Sequence, residues 1–390
     1  MKDKDVAQYI KEERARQRRA CNLIASENYV SADVLSALGS VFVNKYAEGY
    51  PAARYYGGNE VADKIELLAE ERALALFTLS PKKWSVNVQP LSGSPANLAV
   101  YLALVPKGGK IMGMELASGG HLTHGQRVSV TGIIWRQIPY GVDKKTEWLN
   151  YDALEQLAKK ESPDIIVAGF TAYPRKINFK KFRKIADACG AYLLVDMSHI
   201  AGLVAGGVHP SPFPYADIVT TTTHKTLRGP RAALIFSKKD SRNLPAKINK
   251  AVFPGLQGGP HMNQIASVAV ALNEAAQPPF KAYVRQVIKN ARILAQELQK
   301  NGFRIISGGT DTHLLLVDVW RGGSGIGGKE ASERLETAGI IVNKNTIPFD
   351  TRPPKDPSGI RLGTAAETTC GKKEKDFKQI AARIARILKR

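Results

Sequence analysis

The feature that most constrains this chain is an alternation of apolar runs with amphipathic stretches between residues 61 and 255. Seven short runs read as strands: WSVNVQPL, GKIMGME, GIIWRQIPY, DIIVAGF, AYLLVDM, ADIVTTTT and AALIFSK. Between some of them, SPANLAVYLALV, YDALEQLAKKE and FKKFRKIADACG carry apolar residues at helical spacing. VADKIELLAEERALALF, before the first strand, is a strong amphipathic helix. Strands that alternate with helices assemble into an α/β unit around a mostly parallel sheet.

A proline- and glycine-rich joint, FPGLQGGPHM, closes this unit. A long helical stretch follows and should break at Pro278-Pro279, where backbone donors are missing. The tail reads as a smaller α+β unit, with strands FRIIS, THLLLVDVW and GIIVNKN and helices KEASERLETAG and KEKDFKQIAARIARILK. The expected organisation is an N-terminal segment over 1–60, a large domain over 61–255, and a linking helix with a small domain over 256–390.

Composition narrows the class. With 390 residues, 44% hydrophobic and 23% charged, the chain can bury a large core. No apolar run reaches membrane-spanning length. The first twenty residues are charged and contain acids, unlike a secretion signal or transit peptide. Cys21, Cys189 and Cys370 are scattered and form no CxxC pair, which suits a reducing cytoplasm. The net charge is +21. Its basic residues spread along the whole chain, with local knots at 12–19, 175–184 and 371–390, which favours a generally basic surface over a nucleic-acid site.

Several short segments carry chemistry. In TTTTHKTLRGPR, Lys225 stands where two strands meet, flanked by hydroxyls and His224. SGSPANLAV runs small residues directly into a helix, and free N–H groups there can bind phosphate. VDMSH ends an apolar strand with Asp196, at the edge where open α/β sheets bind ligands. HLTHG places His121 and His124 three apart, too few ligands for zinc, whereas a histidine beside the glycine pair of SGGHLTHG can lie flat against an aromatic ligand. RGGSGIGGKEAS contains G-x-G-x-x-G, yet Glu330 stands where a P-loop needs Ser or Thr, and no acid follows at the ribose-binding distance. It reads as a flexible strand-to-helix connection. A lysine, a strand-end acid and a phosphate-ready helix start are together what pyridoxal phosphate demands.

LIASENYVS, NKYAEGYPAARYYGG, NVQPLSGSPAN, SGGHLTHG, VDMSHIAGL, TTTTHKTLRGPR, FPGLQGGP, NKNTIPFD and SGIRLGT occur in this order. On these nine blocks the chain resembles the serine hydroxymethyltransferase family over nearly its whole length. The resemblance implies a fold-type I, aspartate-aminotransferase-like pyridoxal-phosphate enzyme with a seven-stranded, mostly parallel sheet. It implies transfer of a one-carbon unit from L-serine to tetrahydrofolate, leaving glycine. It also implies a catalytic set of Lys225, Glu48, Tyr56, His121 and Thr222. Asp196 would pair with the cofactor's ring nitrogen, and His121 would stack on the ring. Ser92, Gly93 and Ser94 would hold the phosphate, with Tyr46 and Gly259 from a neighbouring subunit. Thr171, where the family more often has serine, and His199 would meet the phenolic oxygen, and His224 completes the cofactor set. Ser26, Glu48, Tyr56, His199 and Arg361 would bind the amino acid. Leu116, Gly120, Leu122 and Asn345 would line a folate site. A site shared between chains implies a homodimer, or a tetramer built from it, with residues 1–60 as an arm packing on the partner subunit. One departure stands out: Ala52-Ala53 replaces the glycine and basic residue usual in the family. The rivals are a folate-independent threonine aldolase of the same fold and a basic RNA-binding protein that kept the fold.

Overall fold

The computed structural model describes residues 1–389. All seven expected strands form: β1 (Trp84–Asn87), β2 (Lys110–Met114), β3 (Arg136–Tyr140), β4 (Ile165–Gly169), β5 (Tyr192–Asp196), β6 (Ile218–Thr222) and β7 (Ala233–Lys238). They make one sheet in the spatial order β1-β7-β6-β5-β4-β2-β3. The run from β3 through β2, β4 and β5 to β6 is parallel. β7 is antiparallel to both β6 and β1.

Period-two alternation explains why both faces are covered. Met112, Ile166, Leu193, Val195 and Phe236 point into the core on one face. Ile111, Ile165, Val167, Leu194 and Ile235 point into the core on the other, against the Gly93–Leu104 helix. With apolar side chains needed on both sides, the strands read as continuous apolar runs.

One boundary differs from the sequence reading. Residues 132–134 of GIIWRQIPY belong to a helical turn, Val130–Ile134, and the strand starts only at Arg136. A short apolar run cannot be told from a buried helical segment by pattern alone. Trp135 sets the boundary: it is buried, meets Tyr101 edge-on at 5.6 Å, and donates its indole N–H to the Val105 carbonyl.

The long helical stretch breaks where expected, into Met262–Ala275 and Pro278–Lys300. The two prolines open the second helix, where their missing N–H groups cost nothing. Beyond it, Arg304–Ile305, Leu314–Asp318, Gly359–Gly363 and Asn343–Asn345 form an antiparallel sheet in that spatial order. GIIVNKN divides into two short strands, and Ile340–Ile341 pairs instead with Cys21–Asn22. Leu23 joins this second core, so part of the N-terminal segment is built into the C-terminal unit. The Lys4–Arg19 helix, by contrast, buries no residue. Among the described residues no helix is long and apolar enough to cross a membrane.

Candidate active site

Lys225 lies in the turn after β6. Its carbonyl accepts from the Arg228 N–H at 3.1 Å and from Asn28 Nδ2 at 2.9 Å. Its Nζ donates to Thr222 Oγ1 at 2.9 Å. Burial pulls the amine's pKa down to about 8, against the opposing pull of Asp196. An ordinary lysine stays charged to about 10.4, whereas a much larger fraction of this one is neutral, and therefore nucleophilic, near neutral pH.

Asp196 ends β5 and is held from several sides. Its Oδ2 accepts from Asn97 Nδ2 at 2.9 Å and from His124 Nε2 at 3.1 Å. Its Oδ1 accepts from the Ser198 backbone at 3.1 Å and the Ser198 hydroxyl at 2.5 Å. Burial pushes the carboxyl's pKa up, but the hydrogen bonds donated by His124 and Ser198 outweigh it and hold the group far below the usual carboxylate range. The His124 tautomer follows from its other nitrogen. Nδ1 accepts from the His121 N–H, so Nε2 carries the proton given to Asp196.

The same cavity, about 390 Å³, is lined by the start of the Gly93–Leu104 helix. Ser92 is the N-cap, yet its hydroxyl caps nothing. The first N–H groups of a helix have no partner one turn back, and Pro95 brings none, so Gly93 and Ser94 offer the free donors. A Cβ on Gly93 would come within 2.7 Å of Thr222 Cγ2, so only glycine lets the helix start this close to β6. His224 Nδ1 is buried without a partner on this same wall. Free hydroxyls, two N–H donors and an unpartnered ring nitrogen suit the phosphate of pyridoxal phosphate.

Across the cavity, Arg361 donates from Nε to Asn343 Oδ1 at 3.0 Å and from one terminal nitrogen to the Thr171 carbonyl at 2.8 Å. Burial lowers its pKa to about 10. The Thr171 hydroxyl donates to the Gly120 carbonyl at 2.8 Å, which leaves its lone pairs as acceptors. His199 Nδ1 lies 3.3 Å from His313 Nε2, which also faces the Ala25 carbonyl at 3.1 Å. That carbonyl can only accept, so His313 Nε2 is the protonated one and His199 keeps Nε2–H as its own donor. His121 Nδ1 meets Thr123 Oγ1 at 2.7 Å, and burial, with neighbouring His124, drops its pKa to about 4. A neutral ring results, suited to lying flat on another ring. Ser26 completes the wall.

Not all of the expected residues meet here. Tyr46, Glu48, Tyr56 and Gly259 form a separate cluster, and none of them lines the cavity. Tyr46 donates its hydroxyl to Glu48 Oε1 at 3.1 Å, and the Tyr46 and Tyr56 rings meet edge-on at 5.1 Å. A Cβ on Gly259 would touch the Tyr46 ring, and one on Gly258 the Glu48 carboxylate. The surface around this cluster is apolar and open: Val41 is 81% exposed, Val43 65% and Tyr55 74%. Of the four candidate folate residues, Leu116 and Leu122 are exposed, Gly120 is buried and Asn345 half-buried. Gly120 must be glycine, because a Cβ there would overlap the Met114 carbonyl.

The Ala52-Ala53 departure leaves a physical trace. Ala52 has φ +61°, in the left-handed region. That conformation costs an L-residue about 1–2 kcal/mol, more than the roughly 0.5–1 kcal/mol that glycine's freedom costs in the unfolded chain. Ala52→Gly should therefore raise the thermal midpoint, opposite to the usual effect of introducing glycine. A lowered midpoint in a melting experiment would contradict strain at this turn.

Sequence reasoning missed Asn97 and Ser198 and left His124 without a role. Asn97 lies one helical turn beyond Gly93, so it returns to the same face; its Oδ1 also accepts from Thr220 Oγ1 at 2.7 Å. The G-x-G-x-x-G segment, in contrast, is a turn leading into the Gly328–Thr337 helix. The chain itself occupies that helix start. Lys329 N–H donates to Asp356 Oδ1 and Gly328 N–H to the Pro357 carbonyl, so the first two N–H groups of that helix are already taken.

A doubly wound sheet with a buried lysine, a clamped strand-end aspartate and an open helix N-terminus defines a fold-type I pyridoxal-phosphate enzyme. Comparison with known proteins agrees. The family model described as serine hydroxymethyltransferase matches residues 1–384. The serine hydroxymethyltransferase of Koribacter versatilis (strain Ellin345) is 54% identical over 387 residues, covering 99% of this chain and 89% of the relative. That of Acidobacterium capsulatum is 55% identical over 386 residues, covering 99% and 88%. That of Caenorhabditis elegans is 52% identical over 394 residues, covering 97% and 77%. The chain belongs to the serine hydroxymethyltransferase family.

Proposed function

We propose that this chain interconverts L-serine plus tetrahydrofolate with glycine plus 5,10-methylenetetrahydrofolate, using an active site completed by a second copy of itself. The observation that carries this reading is the meeting of Lys225, Asp196, the Ser92–Ser94 helix start and Arg361 in one cavity. In the forward direction serine's Cα–Cβ bond breaks. Its hydroxymethyl carbon comes to bridge two folate nitrogens with loss of water, and Cα takes up a proton. Pyridoxal phosphate, when bound, supplies an electron sink that stabilises negative charge at Cα.

The protein's own residues do the rest. Lys225 would hold the cofactor through its amine, which Thr222 orients. Asp196, kept ionised by His124, Asn97 and Ser198, would hold a proton on the ring nitrogen. His121 would lie against the ring. Ser92, Gly93 and Ser94 would bind the phosphate, with His224 beside them. Thr171 and His199 would meet the phenolic oxygen, with His199 as donor. Arg361, assisted by Ser26, clamps the amino-acid carboxylate.

Tyr46, Glu48, Tyr56 and Gly259 cluster away from their own cavity on an open, partly apolar surface. We assign them to the partner's cavity in a homodimer, where Tyr46 and Gly259 reach the phosphate and Glu48 moves protons at the serine hydroxyl with Tyr56 beside it. Residues 1–60 carry most of that shared surface, 61–255 the sheet, and 256–390 the linking helix and small domain. Leu116, Gly120, Leu122 and Asn345 form the folate wall. Three free cysteines fit a reducing cytoplasm.

The test is the absorption spectrum of cofactor-loaded protein with glycine, before and after tetrahydrofolate. A long-wavelength band that grows strongly only with folate supports the reading. A yellow protein indifferent to folate would favour a folate-independent aldolase. Arg361→Ala should raise the serine KM roughly 10–100-fold, the worth of a charge-assisted pair of hydrogen bonds, while cofactor absorption persists. Arg361→Lys should recover only part, since lysine lacks the two-pronged geometry. An unchanged KM in steady-state kinetics would remove Arg361 from the clamp.

A further inference from the structure

We infer that Arg54 is the positioning residue for Glu48, gripping the backbone on both sides of it. This rests on the proposed role of Glu48 in the partner's cavity. One guanidinium nitrogen of Arg54 donates to the Ala47 carbonyl at 2.9 Å and to the Gly49 carbonyl at 2.8 Å. These are the two residues that flank Glu48. Nε donates to Asp63 Oδ1 at 2.9 Å, and the other terminal nitrogen to Glu66 Oε2 at 2.5 Å. The Arg54 side chain is only 4% exposed, and that of Glu66 1%.

The grip is anchored in the large domain. Asp63 and Glu66 lie one turn apart on the Glu60–Leu76 helix, so both face Arg54. Gln89, just past β1, donates to Glu66 Oε1 at 2.7 Å and also to the Gly49 carbonyl at 2.9 Å. Asp63 Oδ2 accepts from the Ala52 N–H at 2.9 Å, which secures the turn between Glu48 and Arg54. Glu48 itself is on an open surface with Tyr46 as its side-chain partner. Its geometry is therefore set through the main chain, which Arg54 holds on both sides, with Gln89 also on the Gly49 carbonyl and the Tyr55 N–H on the Glu48 carbonyl at 3.0 Å. Lysine cannot replace this, because one ammonium cannot reach two carbonyls and two carboxylates in fixed directions.

The experiment separates positioning from folding by exchanging subunits. Arg54→Lys homodimers should keep their cofactor absorption and serine KM but lose roughly 10–100-fold in kcat, the scale of an ångström-level misplacement. Amide hydrogen exchange should accelerate over residues 47–56 and not over β4 to β6. Glu66→Gln, a milder change, should move both readouts the same way by less. Mixed dimers of Arg54→Lys with Lys225→Ala chains should then recover one working site, because Lys225 of the first chain meets a well-held Glu48 from the second. Glu48→Gln with Lys225→Ala is the control. If the control recovers activity and the Arg54 pair does not, Arg54 does not act through Glu48 and the inference falls. If the control also stays inactive, the shared-site reading fails and takes the inference with it. Full kcat in Arg54→Lys overturns the inference alone.

Discussion

Lys225→Ala is expected to lose turnover by on the order of 10⁴-fold or more, because in its proposed role one side chain both holds the cofactor and acts in each catalytic cycle. The structure explains why no neighbour can substitute. The cavity's other cationic side chains, Arg231 and Arg361, are guanidiniums, which do not lose their proton, and Arg361 is committed to Asn343 and the Thr171 carbonyl. Lys225 alone has an amine brought down to about 8. Borohydride reduction of the loaded protein, followed by peptide mapping, provides the direct check. The stable label should fall on the peptide containing Lys225 and vanish in the variant. A label elsewhere would show that another amine holds the cofactor.

Asp196→Asn should lower kcat by on the order of 10³-fold or more, since a neutral amide cannot take the proposed role of holding a proton on the ring nitrogen. It should also destabilise the fold. Both carboxylate oxygens accept from donors, namely Asn97, His124 and Ser198. An amide turns its NH₂ group toward some of those donors and leaves them unsatisfied, at about 1–3 kcal/mol each. The pH dependence has a defined sign. The folded pKa of Asp196 lies below the ordinary value of 3.8. Its stabilisation is therefore fully present above that value, declines as pH falls below it, and is gone only once pH has passed the lower folded value. The stability gap between wild type and variant should narrow on acidification from about pH 5 to about pH 3, as followed by denaturant unfolding. A gap that widened in acid would show that Asp196 is not held ionised.

The catalytic chemistry was legible because it sits on local punctuation. A strand must end where Asp196 stands, a helix must begin after Ser92, and a turn must follow Lys225. Each signal spans a few residues, so pattern and turn chemistry reveal it. Boundaries were less legible, as the helical turn at 130–134 illustrates: apolar residues serve a buried turn and a buried strand equally well. The N-terminal segment was also read too simply, since Cys21–Asn22 pairs with a strand more than 300 residues away.

By itself, then, the sequence determined the sheet's seven strands, the linear order of the Ser92–Ser94 helix start, Asp196 and Lys225, and the family. Only the tertiary structure decided which side chains tune them. His124 reaches Asp196 across 72 positions and Arg361 reaches the Thr171 carbonyl across 190. It also decided that Glu48 belongs to a different cluster from Lys225, and that Arg54 holds the main chain around it. The physical reason is the range of the forces involved. Strand, cap and turn preferences act over a few bonds and so are written in neighbouring residues. Hydrogen bonds between buried polar groups form only after the core has closed, between partners whose spacing along the chain is arbitrary.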